Sequence, residues 1–351
     1  MESHVGWKSA SGTSAAWPWV RCGACVGEMS MVRALRILKD PAGRWAGRRG
    51  VLFIGLALVG GSVLGIVLSG SVPSKVAAGA ASSSCEPRSV QPSGHVTDSY
   101  DRQVLSFNPS LYLTLGNRPS AMEPDLSGDG NNGFYEPSSD PSDFAVLPNG
   151  DSATVFNGTD EYVQVPSAAS LSITYTGCLT VEAWVKPTVL QFPHDQGSGY
   201  VYILGKGVTG KQEYALRMYS YSNSEIPQRP NRISAYVFNL AGGKGSGAYF
   251  QDKVLPGDWI MVSFVIDSRS STGWPDGYIA IYKNGQLRGP WVSLAQFNVT
   301  PGASDAPFRI GTRDLESFFE GAIGKVAVYN SVLSAQDILA TYNAMVLPGN
   351  S

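Results

Sequence analysis

The sequence predicts an all-β domain over residues 97–346, built as a sandwich of two antiparallel sheets. Residues 179–187 (LTVEAWVKP) alternate Leu, Val, Ala and Val with Thr, Glu, Trp and Lys, and a period of two is typical of a strand with one buried face. Similar runs recur downstream between turn residues, and only one convincing helix follows them. Forty glycines and 22 prolines provide for the many turns that such a fold needs.

The charge of the chain is divided between its two parts. Residues 1–70 contain eight Lys and Arg against three acids, whereas residues 71–351 contain eighteen against twenty-five. Nucleic-acid binding depends on neutralising phosphates, so an acidic folded part is a poor partner for DNA or RNA. We therefore expect no nucleic acid among the partners of this protein.

Residues 1–50 have no strand pattern and no long helical pattern, and they predict a disordered, basic cytoplasmic arm. Cys22 and Cys25 have the C-x-x-C spacing of metal and redox sites, but no second pair and no βαβ context accompanies them. They are therefore interpreted as incidental thiols. Met29 and Met31 are alternative starts of the chain, because a basic run begins at Met31.

Residues 51–69 form an uncharged apolar run that predicts a single transmembrane helix. At ~1.5 Å per residue the run is ~28 Å long, about the thickness of a bilayer core. Arg44, Arg48 and Arg49 precede it and the first charge after it is Lys75, so the positive-inside rule places the N-terminus in the cytoplasm. The alternative is a cleaved signal peptide with an A-x-A site at 78–80, which would give a secreted protein.

Residues 70–96 are rich in Ser, Ala, Gly and Pro and predict a flexible stalk between this helix and the folded domain. The stalk contains Cys85, and the other cysteine on the exported side is Cys178. Two thiols in an oxidising compartment predict one disulfide bond, with two unpaired cysteines as the alternative. Residues 347–351 form a short tail.

The domain's further elements follow from alternation and turn chemistry. Residues 104–113 predict its first strand, and residues 153–166 predict two strands around a tight Asn-Gly turn. Another Asn-Gly pair at 284–285 predicts a hairpin, and Ser334 can cap the short C-terminal helix. Additional strands are predicted at 200–206, 213–219, 232–239, 259–267, 278–283, 308–311 and 321–329.

Several of these segments resemble the LamG-like jelly-roll domain of the concanavalin A-like lectin/glucanase superfamily, which is related in fold to laminin G and pentraxin domains. The resemblance covers about residues 100–345, although the family's usual Trp-Arg-Leu is here Leu-Thr-Leu at 113–115. It implies a jelly roll of two packed sheets, one of them concave, with ligands in the concavity or on its rim. It does not imply one activity. The segments that carry it are 155–166, 179–185, 259–262, 282–285 and 321–334.

The superfamily includes glucanases, but the sequence favours a protein without catalytic activity. Glycoside hydrolysis usually needs two carboxylates, and the Glu-x-Asp-x-x-Glu signature of the glucanase members is absent. Glu182 is the single acid of its strand, and His4, His95 and His194 lie outside any Ser-His-Asp pattern. A hydrolase is therefore the third choice of function.

A sheet face rich in tyrosine is the predicted ligand site. The strands predicted at 213–219, 232–239 and 278–283 each alternate aliphatic residues with polar or aromatic ones. If their aliphatic side chains all face the second sheet, six polar and aromatic residues line the opposite, concave face. Aromatic rings with hydrogen-bonding groups between them suit sugars. The alternative is that these side chains only cover a sheet face; Trp274 and Trp291 are further candidates. The six predicted residues are Arg217, Tyr219, Ser234, Tyr236, Tyr278 and Tyr282.

A calcium site is predicted in the glycine-rich loop that contains Asp125, Asp129 and Asn131, because these residues offer the hard oxygen ligands that calcium prefers. The alternative is an acidic turn that serves solubility. Taken together, these features predict a membrane-anchored extracellular module that binds carbohydrate. A protein-adhesion or structural role is the second choice, and the oligomeric state is left open.

Overall fold

A computed structural model describes residues 98–116, 121–137 and 143–347. The predicted arm, apolar segment and stalk, with Cys22, Cys25 and Cys85, lie outside these ranges. No helix within them is long and apolar enough to cross a membrane.

The described residues form two antiparallel sheets of eight strands each, which confirms the predicted all-β sandwich. Strands that are neighbours in sequence often belong to different sheets, so the chain passes between the two sheets several times. The strands are β1 (Leu111–Leu113), β2 (Met122–Glu123), β3 (Gly133–Glu136), β4 (Phe144–Val146), β5 (Ser152–Asn157), β6 (Tyr162–Val165), β7 (Cys178–Pro187), β8 (Tyr200–Val208), β9 (Lys211–Tyr219), β10 (Ile233–Val237), β11 (Ser246–Phe250), β12 (Ile260–Asp267), β13 (Tyr278–Lys283), β14 (Gln286–Ser293), β15 (Phe308–Ile310) and β16 (Glu320–Tyr329).

Sheet A has the strand order β14-β13-β12-β7-β16-β5-β4, with β1 paired to β16. Sheet B has the order β11-β10-β9-β8-β15-β6-β3-β2. The predicted hairpin at 284–285 is confirmed: Asn284 and Gly285 have φ angles of 52° and 76°, and Lys283 pairs with Gln286. Such positive angles at both central residues are typical of the tight turns that match strand twist.

The main core lies between the two sheets. The apolar residues of β7 predicted to be buried, such as Val181 and Val185, are on this inner face together with Phe264 of β12. Sheet B contributes Leu216 of β9 and Ala235 of β10, which are direct partners across the two strands. Period-two alternation therefore predicted the inner faces of these strands correctly.

Two helices, α1 (Ser99–Ser106) and α2 (Ala335–Val346), cover the outer face of sheet A. Trp184, on the outer side of β7, is buried there, stacks on Tyr342 of α2 with ring centroids 5.8 Å apart, and donates its indole N–H to the Tyr100 hydroxyl of α1 at 3.0 Å. The prediction of one buried face for β7 was therefore wrong, since this layer of helices buries the second face. The predicted cap of α2 is confirmed, because Ser334 Oγ accepts from the Asp337 amide at 3.2 Å.

Helix α1 corrects the predicted first strand at 104–113. Helix occupies the first part of that segment and only Leu111–Leu113 are strand. Asp98 caps the helix by accepting from the Tyr100 amide at 3.3 Å, and Asp98 lies six residues before the predicted strand begins at residue 104. The Lys325 ammonium lies 2.6 Å from Asp101 and 2.6 Å from Asp151, which ties α1 to strand β16.

The two strands predicted within 153–166 are confirmed as β5 and β6, but they do not pair with each other. Strand β5 joins sheet A beside β16, and β6 joins sheet B beside β15. Gly158 between them has a φ of +72°, as an Asn-Gly turn requires. The turn therefore connects the two sheets and closes one end of the sandwich.

Glu182 is buried beneath the helices on the outer side of β7. Its two carboxyl oxygens accept hydrogen bonds from Ser263 Oγ and from the Tyr329 hydroxyl, each at 3.1 Å. Burial raises the pKa of Glu182 to about 8, because removal from water disfavours the charged form more than these two donors favour it. The acid is therefore neutral through most of the physiological pH range and is shielded by the helices.

We expect the stability of the protein to fall as the pH rises from about 5 to about 9. The folded pKa of Glu182 lies above that of an unfolded glutamate, so its contribution is complete below about pH 4.5 and is lost as the pH rises through about 8. The loss is on the order of 4 kcal/mol. The measurement compares the melting temperatures of the wild type and of Glu182→Gln over this pH range. Glu316→Gln is the control, because Glu316 is exposed.

The Glu182→Gln variant should lose most of the decline, whereas Glu316→Gln should keep it. Equal pH profiles for the wild type and Glu182→Gln would show that Glu182 is not the titrating group.

Candidate ligand-binding face

The six predicted site residues do not share one face of the sandwich. Arg217 and Tyr236 are on the outer face of sheet B, as are Tyr219 and Ser234 of the same two strands. Tyr278 and Tyr282 are on strand β13, which belongs to sheet A. The expectation of a common concave surface was therefore wrong, because alternation shows which residues share a strand face but not which sheet the strand joins.

Tyr278 and Tyr282 are almost completely buried, with 7% and 3% of their surface exposed. Both belong to the apolar layer between sheet A and its helices. Tyr278 stacks on Trp291 with centroids 4.3 Å apart, and Trp274 lies 5.7 Å from Tyr278. Trp291 is 37% exposed and Trp274 is partly exposed, so this group presents two accessible aromatic side chains at the edge of sheet A.

On sheet B, a group of side chains surrounds the guanidinium of Arg217. The guanidinium carbon lies 4.3 Å from the ring centroid of Tyr200 and 3.9 Å from that of Tyr236. Arg217 Nη2 also donates to the Tyr219 hydroxyl at 2.9 Å. We call Tyr200, Arg217, Tyr219 and Tyr236 the Arg217 cluster.

Strand register and small neighbours explain how the cluster forms. Tyr200 and Tyr219 are direct partners across β8 and β9, and Tyr236 is the partner of Ala215 on β9. On its other side Tyr236 faces Gly247 of β11, where an added Cβ would lie 2.4 Å from the Tyr236 ring. Glycine at 247 therefore allows the ring to lie close to the sheet.

A second arginine extends the arrangement. Arg313 lies over the Tyr202 ring at 4.1 Å and over Phe238 at 5.5 Å, and Phe238 in turn stacks on Tyr236 at 5.8 Å. The alternation of β8 could have revealed Tyr200 and Tyr202, which were not predicted. Arg313 follows β15 in a segment without regular alternation, so no sequence signal pointed to it.

Two carboxylates stand beside the cluster, and each already has its own arginine. Glu225 accepts from the Tyr219 hydroxyl at 3.1 Å and from Arg229 at 2.8 Å. Asp314 pairs with Arg313 at 2.9 Å. Arg217 forms no ion pair with a carboxylate among the described residues.

Two members of the cluster differ in how their phenol groups respond to Arg217. Burial alone would raise the pKa of Tyr236, but the positive charge of Arg217 lowers it, and the result is a pKa below the ordinary value. Burial raises the pKa of Tyr219, and Arg217 only partly offsets this effect. The guanidinium is therefore the dominant charge acting on the Tyr236 hydroxyl.

Exposure divides the cluster into contacting and supporting residues. Tyr219 and Ser234 are completely buried, whereas Tyr200, Arg217 and Tyr236 are partly exposed. Of the predicted residues on sheet B, Arg217 and Tyr236 can thus reach a ligand. The buried Tyr219 hydroxyl accepts a hydrogen bond from Arg217, and Ser234 is the partner of Arg217 on the neighbouring strand β10.

The predicted calcium ligands lie in a loop that is held by its own hydrogen bonds. Asp125 Oδ1 accepts from the Tyr112 and Ser127 amides at 2.8 and 3.0 Å, and Oδ2 accepts from Ser127 Oγ and the Asn131 amide at 2.7 and 2.9 Å. Burial and the charge of Asp125 raise the pKa of Asp129. The Asp125 carboxylate thus organises the loop through hydrogen bonds, and calcium binding stays a prediction, as does the alternative of an acidic turn that serves solubility.

The predicted disulfide partner of Cys178 lies outside the described residues. Cys178 itself is completely buried at the start of β7. The pairing of Cys85 with Cys178 stays a prediction.

Several solved structures are similar to this chain at low identity. The receptor-binding domain of botulinum neurotoxin C/D mosaic serotype shows 13% identity and a TM-score of 0.48 over 68% of this chain and 52% of its own. The botulinum neurotoxin serotype D ligand-binding domain in complex with N-acetylneuraminic acid shows 14% and 0.48 over the same shares. Domain 4 of AbnA, an extracellular GH43 arabinanase from Geobacillus stearothermophilus, in complex with arabinotriose, shows 15% and 0.45 over 67% and 98%.

This chain spans about half the length of the two toxin domains. Identities and TM-scores at this level say nothing about its ligand. No curated protein matches the sequence. The model of the "Concanavalin A-like lectin/glucanases superfamily" matches residues 157–339, which is more than half of the chain and includes strands β6 to β16. The chain belongs to the concanavalin A-like lectin/glucanase superfamily.

Proposed function

We propose that this domain is a carbohydrate-binding module whose ligand lies on the Arg217 cluster. The observation that carries the proposal is the partly exposed guanidinium of Arg217, held between the rings of Tyr200 and Tyr236. Sugar rings offer hydroxyl groups for hydrogen bonds and C–H patches for aromatic contacts, and this cluster provides both kinds of partner within one side-chain group.

Polar contacts dominate this surface. Tyr236 contacts Arg217, stacks on Phe238 and has its hydroxyl 3.5 Å from that of Tyr219, so its ring edge is the part that remains for a ligand. Partly buried Gln196 and Glu225 lie beside the cluster, where Gln196 donates to Asp314 at 3.1 Å and Glu225 accepts from Tyr219. Groups whose positions are already fixed lose little freedom on binding, which favours affinity.

A role without catalysis suits the position of the acids. Glu182 is covered by the helices of sheet A, and the two carboxylates beside the cluster are engaged with Arg229 and Arg313. A pair of free carboxylates on either side of a bound sugar, which glycoside hydrolysis usually needs, is not part of the cluster.

Protein adhesion is the second candidate, and one observation favours it. The connection between β9 and β10 carries Ile226 and Tyr221, which are 97% and 69% exposed, and the same connection supplies Glu225 to the cluster. Arginine and tyrosine are enriched at protein interfaces. An apolar loop tip beside such a cluster would suit a protein partner.

We expect purified full-length protein to bind at least one saccharide on a glycan array and Tyr236→Ala to weaken that binding by at least about tenfold, which corresponds to ~1.4 kcal/mol. The reason is that Tyr236 is partly exposed and holds one side of Arg217. Tyr175→Ala is the matched control, because Tyr175 is 60% exposed in a turn before β7 of the other sheet.

A third variant, Trp291→Ala, separates the two aromatic groups. If Trp291→Ala abolishes binding while Tyr236→Ala does not, the ligand lies at the edge of sheet A. If the wild type binds no saccharide, the carbohydrate proposal fails and protein adhesion becomes the leading candidate function.

We further propose that residues 51–69 anchor the protein in a membrane with its N-terminus in the cytoplasm, so that the domain faces the outside. The charge pattern around the apolar run supports this topology. Protease added to intact cells should remove the domain and leave residues 1–50 protected. A domain that stays intact under conditions that cleave a known surface protein would contradict the proposed orientation, and a domain found only in the medium would favour signal cleavage.

A further inference from the structure

We infer that the saccharide bound by the Arg217 cluster is anionic and that a sugar carboxylate pairs with the Arg217 guanidinium. This inference rests on the proposed carbohydrate-binding function and names the class of its ligand. The shared chemistry is a carboxylate on a pyranose ring, which uronic acids and sialic acids both provide.

The charge of Arg217 has no carboxylate partner among the described residues. Glu225 and Asp314 each form an ion pair with another arginine, so neither provides a counter-charge for Arg217 alone. Its nearest polar partner is the neutral Tyr219 hydroxyl at 2.9 Å, and the buried Nε has no hydrogen-bond partner among the described residues. A charge that is partly removed from water is stabilised strongly by an opposite charge, which a neutral sugar does not provide.

The guanidinium of Arg217 also has a fixed orientation. Contacts with Tyr200 and Tyr236 hold the guanidinium on two sides, and the bond to Tyr219 fixes its rotation. A planar guanidinium can bind a carboxylate through two parallel N–H···O bonds, which are stronger and more directional than bonds to a hydroxyl. The cluster thus holds a carboxylate receptor in place before the ligand arrives.

Two further arginines, Arg232 and Arg309, lie on this sheet face. Arg232 lies 3.5 Å from the Tyr249 ring centroid and donates to Gln251, and Arg309 donates to Gln164 at 2.9 Å. Neither forms an ion pair among the described residues, although residues 71–351 carry more acids than bases. Arg232 and Arg309 are only 8% and 7% exposed, so they add positive potential to this face, whereas Arg217 is partly exposed and can pair with a carboxylate.

The test compares each acidic sugar with a neutral counterpart. Trigalacturonate is compared with its methyl ester, and sialyllactose with lactose, by calorimetric titration of the full-length protein. We expect at least about tenfold tighter binding of one of the acids than of its neutral counterpart, because a charge-assisted pair is lost in the ester. Raising sodium chloride from about 50 to about 500 mM should weaken binding of the acid but not of the neutral sugar.

Variants of Arg217 locate the effect. Arg217→Gln should reduce the affinity for the acid to that for the neutral sugar, while the exposed Arg102→Gln on α1, away from sheet B, should leave it unchanged. Arg217→Lys keeps the charge without the planar fork and should bind the acid more weakly than the wild type. Melting curves identify any variant that does not fold, in which case the acid and ester comparison on the wild type decides.

The outcomes separate the two proposals. Equal affinity for acid and neutral sugar, or unchanged affinity for the acid in a folded Arg217→Gln variant, overturns the anionic ligand but leaves carbohydrate binding in place. Binding of no saccharide, here and on the glycan array, overturns both. Selective binding of trigalacturonate or of sialyllactose alone supports the inference and identifies the source of the carboxylate.

Discussion

The closure of the outer face of sheet A by two helices is the constraint on which the rest of the structure depends. Trp184 lies at the centre of this layer, stacked on Tyr342 of α2 and bonded to Tyr100 of α1. Because this layer buries the outer sides of β7 and β13, residues such as Glu182 and Tyr282 cannot meet a ligand without the helices moving. The outer face of sheet B, which neither of these helices covers, is therefore the sheet face that we propose for ligand binding.

The outer face of sheet B stabilises the positive charge of Arg217 without a carboxylate partner among the described residues. In most folded proteins a partly buried arginine is neutralised by a carboxylate, as Arg313 is by Asp314. Arg217 instead lies between two tyrosine rings, whose electron-rich faces attract a cation without neutralising it. The positive charge is thus held in place and remains able to pair with an anion from outside. The same charge outweighs the effect of burial and lowers the pKa of the Tyr236 hydroxyl.

The sequence predicted the sandwich because the strand pattern is local, whereas the site depends on contacts between distant strands. Alternation in β9 correctly placed Arg217 and Tyr219 on one side, and the same reasoning placed Tyr278 and Tyr282 together on β13. Which sheet each strand joins is decided by long-range pairing, and the pattern of a single strand does not contain it. Helix α1 was missed for a related reason: eight residues with three buried side chains become helical because a cap and the underlying sheet stabilise them.

The most direct test of this account is a ¹³C-aromatic NMR spectrum of the tyrosine-labelled protein, titrated with trigalacturonate. The account predicts that the ring signals of Tyr200 and Tyr236 shift in proportion to bound ligand, while those of Tyr278 and Tyr282 stay in place beneath the helix layer. Shifts at Tyr278 or Tyr282, or an absence of shifts at Tyr200 and Tyr236 under saturating ligand, would contradict the assignment of the ligand face to sheet B.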